Sequence, residues 1–213
     1  MKALTVKTLK ALKTLKPLKT ANLFVSHCFV LTALLSASSY SLAAPLAVAI
    51  DDFSDAKVNS LGIERQYISD AVAGGATTTA PTLSEGILYL KGEILPPRGQ
   101  PGWASAVLPL GPEGEAQDAS QFQGVRMLIK VNTGTISLTA NSTEITNFDY
   151  HATPIAVASD GQFHEVKIPF NRMKRAWSEQ TPLNPKTIQS LSIGAFSPQQ
   201  GAFDYAIDEV SFY

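Results

Sequence analysis

The stretch Gly201-Ala-Phe-Asp-Tyr-Ala-Ile-Asp-Glu-Val-Ser-Phe-Tyr213 constrains the fold of this chain more than any other. Phe203, Tyr205 and Ile207 fall on one face at a period of two, and Val210 and Phe212 continue in the opposite parity. One extra residue at Asp208-Glu209 returns both halves to the same face, so the pattern predicts a strand carrying a β-bulge. A strand this apolar is ordered only where a sheet receives it. We therefore expect it to pair with an element from the start of the mature domain, and the rest of the chain to be arranged around it.

Upstream, the sequence reads as strand, turn, strand. Strands are predicted over residues 47–53, 65–68, 87–94, 103–108, 125–131, 135–140, 148–156 and 163–170, with Leu191, Ile193 and Ala195 marking one more. The clearest is Val125-Arg-Met-Leu-Ile-Lys-Val131, where Val125, Met127, Ile129 and Val131 point inward and Arg126 and Lys130 outward. Gly74-Gly75 marks a bend, the proline- and glycine-rich stretch 95–102 a surface loop, and Ser159-Asp-Gly161 a hairpin turn. Pro169 marks an edge or strand end, and 171–177 a helical turn. Many short strands, regular turn signals and no long amphipathic helix predict an all-β sandwich of jelly-roll type, a single domain over residues 50–213.

Residues 1–49 read differently. Six lysines (Lys2, Lys7, Lys10, Lys13, Lys16 and Lys19) precede the apolar run 22–35 and a tail of small residues, with neither arginine nor acid among them. That order is a signal peptide with a long basic leader, cut after Ala43 or after Ala49, since Pro45 disfavours a cut immediately before it. Ser26, His27 and the 36–41 serine cluster interrupt the run and argue against an uncleaved anchor. The lack of arginine argues against a mitochondrial transit peptide, and His27 before Cys28 against lipidation. The expectation is export to the periplasm or beyond, with no membrane span in the mature chain.

Losing the leader changes the charge. All 18 acidic residues but only eleven of the 17 basic ones lie beyond position 50, a formal charge of −7. An acidic domain of this kind disfavours nucleic acid and an electrostatic grip on anionic lipid. Cys28, the one cysteine, leaves with the leader, so the domain is built without disulfides. Catalysis has little to draw on. The mature chain keeps only His151 and His164, and contains no nucleophile elbow, zinc-binding His-Glu-x-x-His or phosphate loop. No enzyme activity is expected.

Asp51-Asp52-Phe53, then Ser69 to Thr77, Gly102-Trp-Ala-Ser105, Phe163 to Phe170 and finally Gly201 to Val210 occur in that order. Together they resemble the complex I intermediate-associated protein 30 family across essentially the whole mature chain. Ala73 stands where that family usually has methionine, and Phe163 where it usually has tryptophan. The resemblance implies a non-catalytic, galactose-binding-like jelly roll, related to family 11 carbohydrate-binding modules. It also implies a binding scaffold; export would separate it from the peripheral arm of complex I.

A carbohydrate is held by aromatic rings stacked on its C–H faces and by a few polar groups. Trp103, Tyr150, His151 and Trp177 are the residues the sequence offers for this. The competing use of each ring is packing in the core or at the rim. Jelly-roll binding modules often carry a structural calcium near the meeting of first and last strands. Asp51, Asp52 and Asp208 are the carboxylates available for one there, unless they cap strand ends in water. Two further functions are open: a protein assembly or chaperone-like factor of the cell envelope, with Leu128 as an outward apolar candidate, and an accessory domain of an enzyme. The oligomeric state is not legible in the sequence.

Overall fold

The computed structural model describes residues 46–213; leader residues 1–45, with the Ala43 cut, lie outside them, whereas the alternative cut after Ala49 falls within the first strand. In chain order the strands are β1 (Ala49–Asp51), β2 (Gln66–Ser69), β3 (Thr78–Ser84), β4 (Ile87–Ile94), β5 (Gly102–Pro109) and β6 (Gly124–Thr133). They continue as β7 (Ile136–Ser142), β8 (His151–Pro154), β9 (His164–Pro169), β10 (Lys174–Arg175), β11 (Ile188–Ser197) and β12 (Gly201–Phe212). Two six-stranded sheets result, with all the described strand pairings antiparallel. The first runs β3-β4-β12-β6-β9 with β1 also paired to β12, and the second runs β10-β8-β7-β11-β5-β2. Among the described residues no helix is long and apolar enough to cross a membrane.

The strand expected to organise the fold is the centre of the first sheet. β6 lies along one side of β12, while β4 pairs with its first half and β1 with its second. Ile207 faces Ile129 and Glu209 faces the adjacent Leu128, so Asp208 is the extra residue of a bulge where the parity change placed it. Phe203, Tyr205, Ile207, Val210 and Phe212 consequently all reach the core. Across the sandwich they meet Ala104, Ala106 and Leu108 of β5, Leu138 and Ala140 of β7, and Leu191, Ile193 and Ala195 of β11. Tyr205 also donates its hydroxyl to the Ile193 carbonyl at 2.9 Å, tying the sheets together, and burial pushes the phenol's pKa up.

Departures from the sequence reading have local causes. β3 was not expected, because Pro81 and a run of threonines obscure its pattern; it is an edge strand, where a missing N–H costs no ladder bond. Glu85 at φ 52° and Gly86 at φ 75° form the two-residue turn into β4, a backbone shape that matches strand twist. The strand expected over 148–156 shortens to β8 because Phe148 takes φ 62°. The expected helical turn over 171–177 is a 3-10 turn, Phe170–Arg172, followed by the short β10.

Candidate functional site

Register places the outward side chains of the second sheet in rows. One row crosses all six strands as Gln66, Val107, Ser192, Thr139, Ala152 and Lys174. The next holds Ile68, Ser105, Gly194, Ser137 and Pro154. Ser190 lies beside Asn141 on one side of these rows, and Phe196 beside Trp103 on the other. The floor is therefore made of hydroxyls, the amides of Gln66 and Asn141, and apolar groups, with Lys174 at its edge as the one charge in these rows. Asn141 donates to Ser190 Oγ at 3.0 Å and Ser192 Oγ at 3.1 Å, which holds its amide flat across two strands. A side chain at Gly194 would collide with Ser105 Oγ, so the centre of the floor stays low.

Aromatic rings stand at both ends. Phe196 is 40% exposed beside the half-buried Trp103. At the far end Tyr150, one residue before β8 and sharing the parity of Ala152, meets Trp177 edge-on with centroids 5.1 Å apart. Trp177 is 59% exposed.

A buried aspartate anchors each end. Asp70 follows β2 and accepts from the Trp103 N–H at 3.2 Å, the Thr77 N–H at 3.0 Å and the Thr77 hydroxyl at 2.6 Å. It thereby fixes the start of β5 and the ring that β5 carries. Asp149 accepts from the N–H groups of Tyr150 at 2.8 Å, Ala176 at 3.0 Å and Ser178 at 3.1 Å, from the Ser178 hydroxyl, and from Arg175 Nε at 2.8 Å. Burial alone would raise its pKa. The bonds from Ser178, Tyr150 and Arg175 outweigh burial and hold the carboxyl well below its ordinary range. Tyr150 is shifted up, first by burial and then by the adjacent Asp149 charge. The loops before β8 and after β10 are thus fastened to one carboxylate, and Tyr150 and Trp177 are presented on them.

Three of the four expected ligand residues, Trp103, Tyr150 and Trp177, stand at the ends of this face. His151 does not. It pairs with Ala140 on the inner side, is 1% exposed, and places Nε2 2.8 Å from the Thr181 carbonyl. The period-two pattern assigns it there, one residue out of phase with Tyr150. His164 bonds Asp160 at 2.9 Å. The residues missed from sequence are Ser105, Thr139, Asn141, Ser190, Ser192 and Phe196. The alternation in Ser190-Leu-Ser-Ile-Gly-Ala-Phe196 marks Ser190, Ser192 and Phe196 as outward, but only register brings them beside Ser105, Thr139 and Asn141.

The three aspartates proposed for calcium do not form one ligand set. Asp51 is fully buried and gives both oxygens to Arg65, Oδ1 to Nη2 at 2.8 Å and Oδ2 to Nε, while Oδ1 also receives the Phe53 N–H. Arg65 reaches the Asp55 carbonyl as well and lies over the Phe53 ring at 5.2 Å, so the cation beside Asp51 is the protein's own. Asp52 faces solvent, and its carboxylate is held below its ordinary range by bonds from Ser54 and Ser60. Asp208 is the bulge residue of β12. Among the described residues no group of three or more His, Cys, Asp or Glu side chains is placed to hold a metal. A cleft of about 590 Å³, lined by Phe122, Phe170, Met173, Leu183 and polar residues that include Lys174 at the edge of the floor, contains none of the expected ligand residues.

Comparison with known proteins places this geometry. The sequence profile of the complex I intermediate-associated protein 30 family matches residues 53–207. No match is found among curated proteins. The family 11 carbohydrate-binding module of the cellulosomal cellulase Lic26A-Cel5E of Clostridium thermocellum superposes with a TM-score of 0.54 at 17% identity, covering 79% of this chain and 95% of that one. The family 11 module from the same organism in complex with a β-1,3-1,4-mixed-linked tetrasaccharide gives a TM-score of 0.53 at 17% identity, over 78% of this chain and 94% of that one. The agarase AgWH50C gives 0.51 at 10% identity over 77% of this chain, which corresponds to 24% of the enzyme. At these identities the likeness is one of fold, a jelly-roll sandwich.

Proposed function

The chain belongs to the complex I intermediate-associated protein 30 family, and we propose that it is an exported, non-catalytic binding domain that takes carbohydrate on the outer face of its second sheet. The observation that carries this reading is the floor of hydroxyl and amide groups between two sets of exposed rings. Neutral sugars present the complementary surface: C–H faces that cover aromatic rings and hydroxyls that exchange hydrogen bonds with serine, threonine and asparagine. The tetrasaccharide-bound module of the same fold supports the reading by analogy of architecture. The basic, apolar and small-residue order of the leader supports export. The non-catalytic reading is supported by the two histidines of the domain, each of which is engaged in a hydrogen bond within the protein. Glycan-array screening and calorimetry of the secreted protein test it. Binding to at least one neutral polysaccharide that weakens on Trp177→Ala is the expected result; silence across plant, algal and bacterial polysaccharides would sink the carbohydrate reading.

A protein partner is the second reading, favoured by Phe148, which is 93% exposed next to Asp149 in the loop before β8. Pull-down from an envelope fraction, with Phe148→Ser as control, separates it from the first. Loss of a protein partner in that variant with glycan binding unchanged would establish docking at this loop.

A further inference from the structure

Building on the carbohydrate reading, we infer that this face takes an internal stretch of a linear, uncharged glycan lying obliquely across the strands, and that it selects for chain length. The ring pairs are the reason. Phe196 and Ser190 are six residues apart on β11, about 20 Å at the rise of an extended strand. Tyr150 is displaced a further two strand spacings, about 10 Å, because β8 is separated from β11 by β7. No mono- or disaccharide spans that distance. A short sugar therefore reaches one ring pair and part of the floor, while a longer chain running from Trp103 and Phe196 past Ser105, Ser192 and Asn141 to Tyr150 and Trp177 meets every group.

Three features make the path continuous rather than two separate subsites. The floor between the ends is low, kept so by Gly194 and by small side chains. Asn141 is already fixed by Ser190 and Ser192 with both amide hydrogens engaged, which leaves its carbonyl oxygen to accept from a sugar hydroxyl. Both ends are anchored in the unbound protein by Asp70 and Asp149, so a long ligand gains the second ring pair without ordering a loop. The charge pattern sets the class. No carboxylate lies in these rows, and Arg175 is already paired with Asp149, leaving Lys174 at the rim as the one cation in these rows. Nothing in the centre would neutralise a uronate or sulfate group.

The test uses the secreted protein and fragments of β-1,3-1,4-mixed-linked glucan and of agarose, from the disaccharide upward, measured by calorimetry against the parent polymers. Affinity is expected to rise with length and to gain about tenfold or more once fragments bridge both ends. In Trp177→Ala, and separately in Phe196→Ala, that gain disappears while short fragments keep their affinity for the intact end; thermal melting confirms that each variant folds. Carboxymethylation of a bound glucan weakens binding. If a polymer binds but its disaccharide binds as tightly, length selection is overturned and the carbohydrate reading stands. If a carboxylated glucan binds more tightly than its neutral parent, the charge class is wrong. If no polymer binds, the carbohydrate reading falls and this inference with it.

Discussion

On the outer face of the first sheet Arg126 spans Glu165 and Glu209, each at 2.8 Å; on the second, Asn141 spans Ser190 and Ser192. The two bridges have similar geometry and opposite consequences. The first consumes charges in internal pairs on a surface that also carries Lys91, Glu93, Lys130 and Lys167, and so presents a solvated face. The second leaves hydroxyl and carbonyl capacity directed outward, with Lys174 at the rim as the one charge in its rows. The rings differ in the same way. Lys130 lies over Tyr89 at 6.0 Å and Phe163 at 5.1 Å, and Lys167 over Tyr213 at 5.7 Å, so the aromatics of the first sheet are covered by cations. None of the described cation–ring contacts involves Trp103, Trp177 or Phe196. The proposed binding face differs from the other less by having aromatic residues than by leaving them uncovered.

The largest effect comes from removing the strand beneath one of these faces. Phe203, Tyr205, Ile207, Val210 and Phe212 are each within 1% of full burial, and burying such a side chain contributes about 1.5–3 kcal/mol. Their sum rivals the whole stability of a domain, about 5–15 kcal/mol. Deleting residues 201–213 is therefore expected to abolish folding and both faces together. A soluble, cooperatively melting protein ending at Gln200 would show that the second sheet stands without the first.

Next comes the buried pair at the edge of the first sheet. Arg65→Met leaves the Asp51 carboxylate uncompensated at zero exposure, a loss of about 3–5 kcal/mol. Because Arg65 is already the cation at this place, chelator and added calcium are expected to leave the melting temperature unchanged, as a ligand bound only to the folded state must raise it. Urea unfolding of the variant and calcium titration of the native chain check the two halves. A rise in melting temperature with calcium would reinstate an ion near Asp51 and Asp208.

The acid response sharpens the contrast within the second sheet. Asp149 has a folded-state pKa below its unfolded value of about 4, so its contribution is fully present above that pH and is lost as pH falls below it. Asp149→Asn keeps the shape but removes the charge paired with Arg175. It is expected to cost about 2 kcal/mol at neutral pH and to flatten the fall in stability below pH about 4. Glycan affinity should fall with it, because Tyr150 and Trp177 lose their anchor, whereas the Trp103 end is unaffected. An acid profile identical to the native one would assign the pH dependence to other carboxylates.

How much of this was legible in the sequence divides along the same line. Alternation revealed β4, β5, β6 and the inner members of β11, and the slip at Asp208 revealed the bulge, because burial imposes the period-two pattern that such reading detects. β3 escaped because its burial is slight and Pro81 hid it. Trp103, Tyr150 and Trp177 stand out in the sequence by residue type alone, and register places them at the ends of the proposed face. The floor was not found, because serine and threonine on a strand carry no signal until register brings Ser105, Ser192 and Thr139 side by side from three strands. His151 and the three aspartates misled for a related reason: a polar side chain in sequence does not disclose whether a neighbour such as Thr181 or Arg65 already occupies it.

The smallest effect is the control for the comparison. Lys130 is half-buried on the outer face of the first sheet, its ammonium between Tyr89 and Phe163. Lys130→Ala removes two cation–ring contacts on a partly solvated surface, a loss of under about 1 kcal/mol, and uncovers both rings. If rings and uncovering were sufficient for a sugar site, this variant would gain glycan affinity. We expect no gain, because the neighbouring groups on that face are carboxylates and cations already paired with each other, with no floor of free hydroxyls at the same depth. Calorimetry of the variant with the polymer bound by the native protein checks it. An added second site would mean that uncovered rings alone make the face, and that the serines and Asn141 of the second sheet contribute shape rather than recognition.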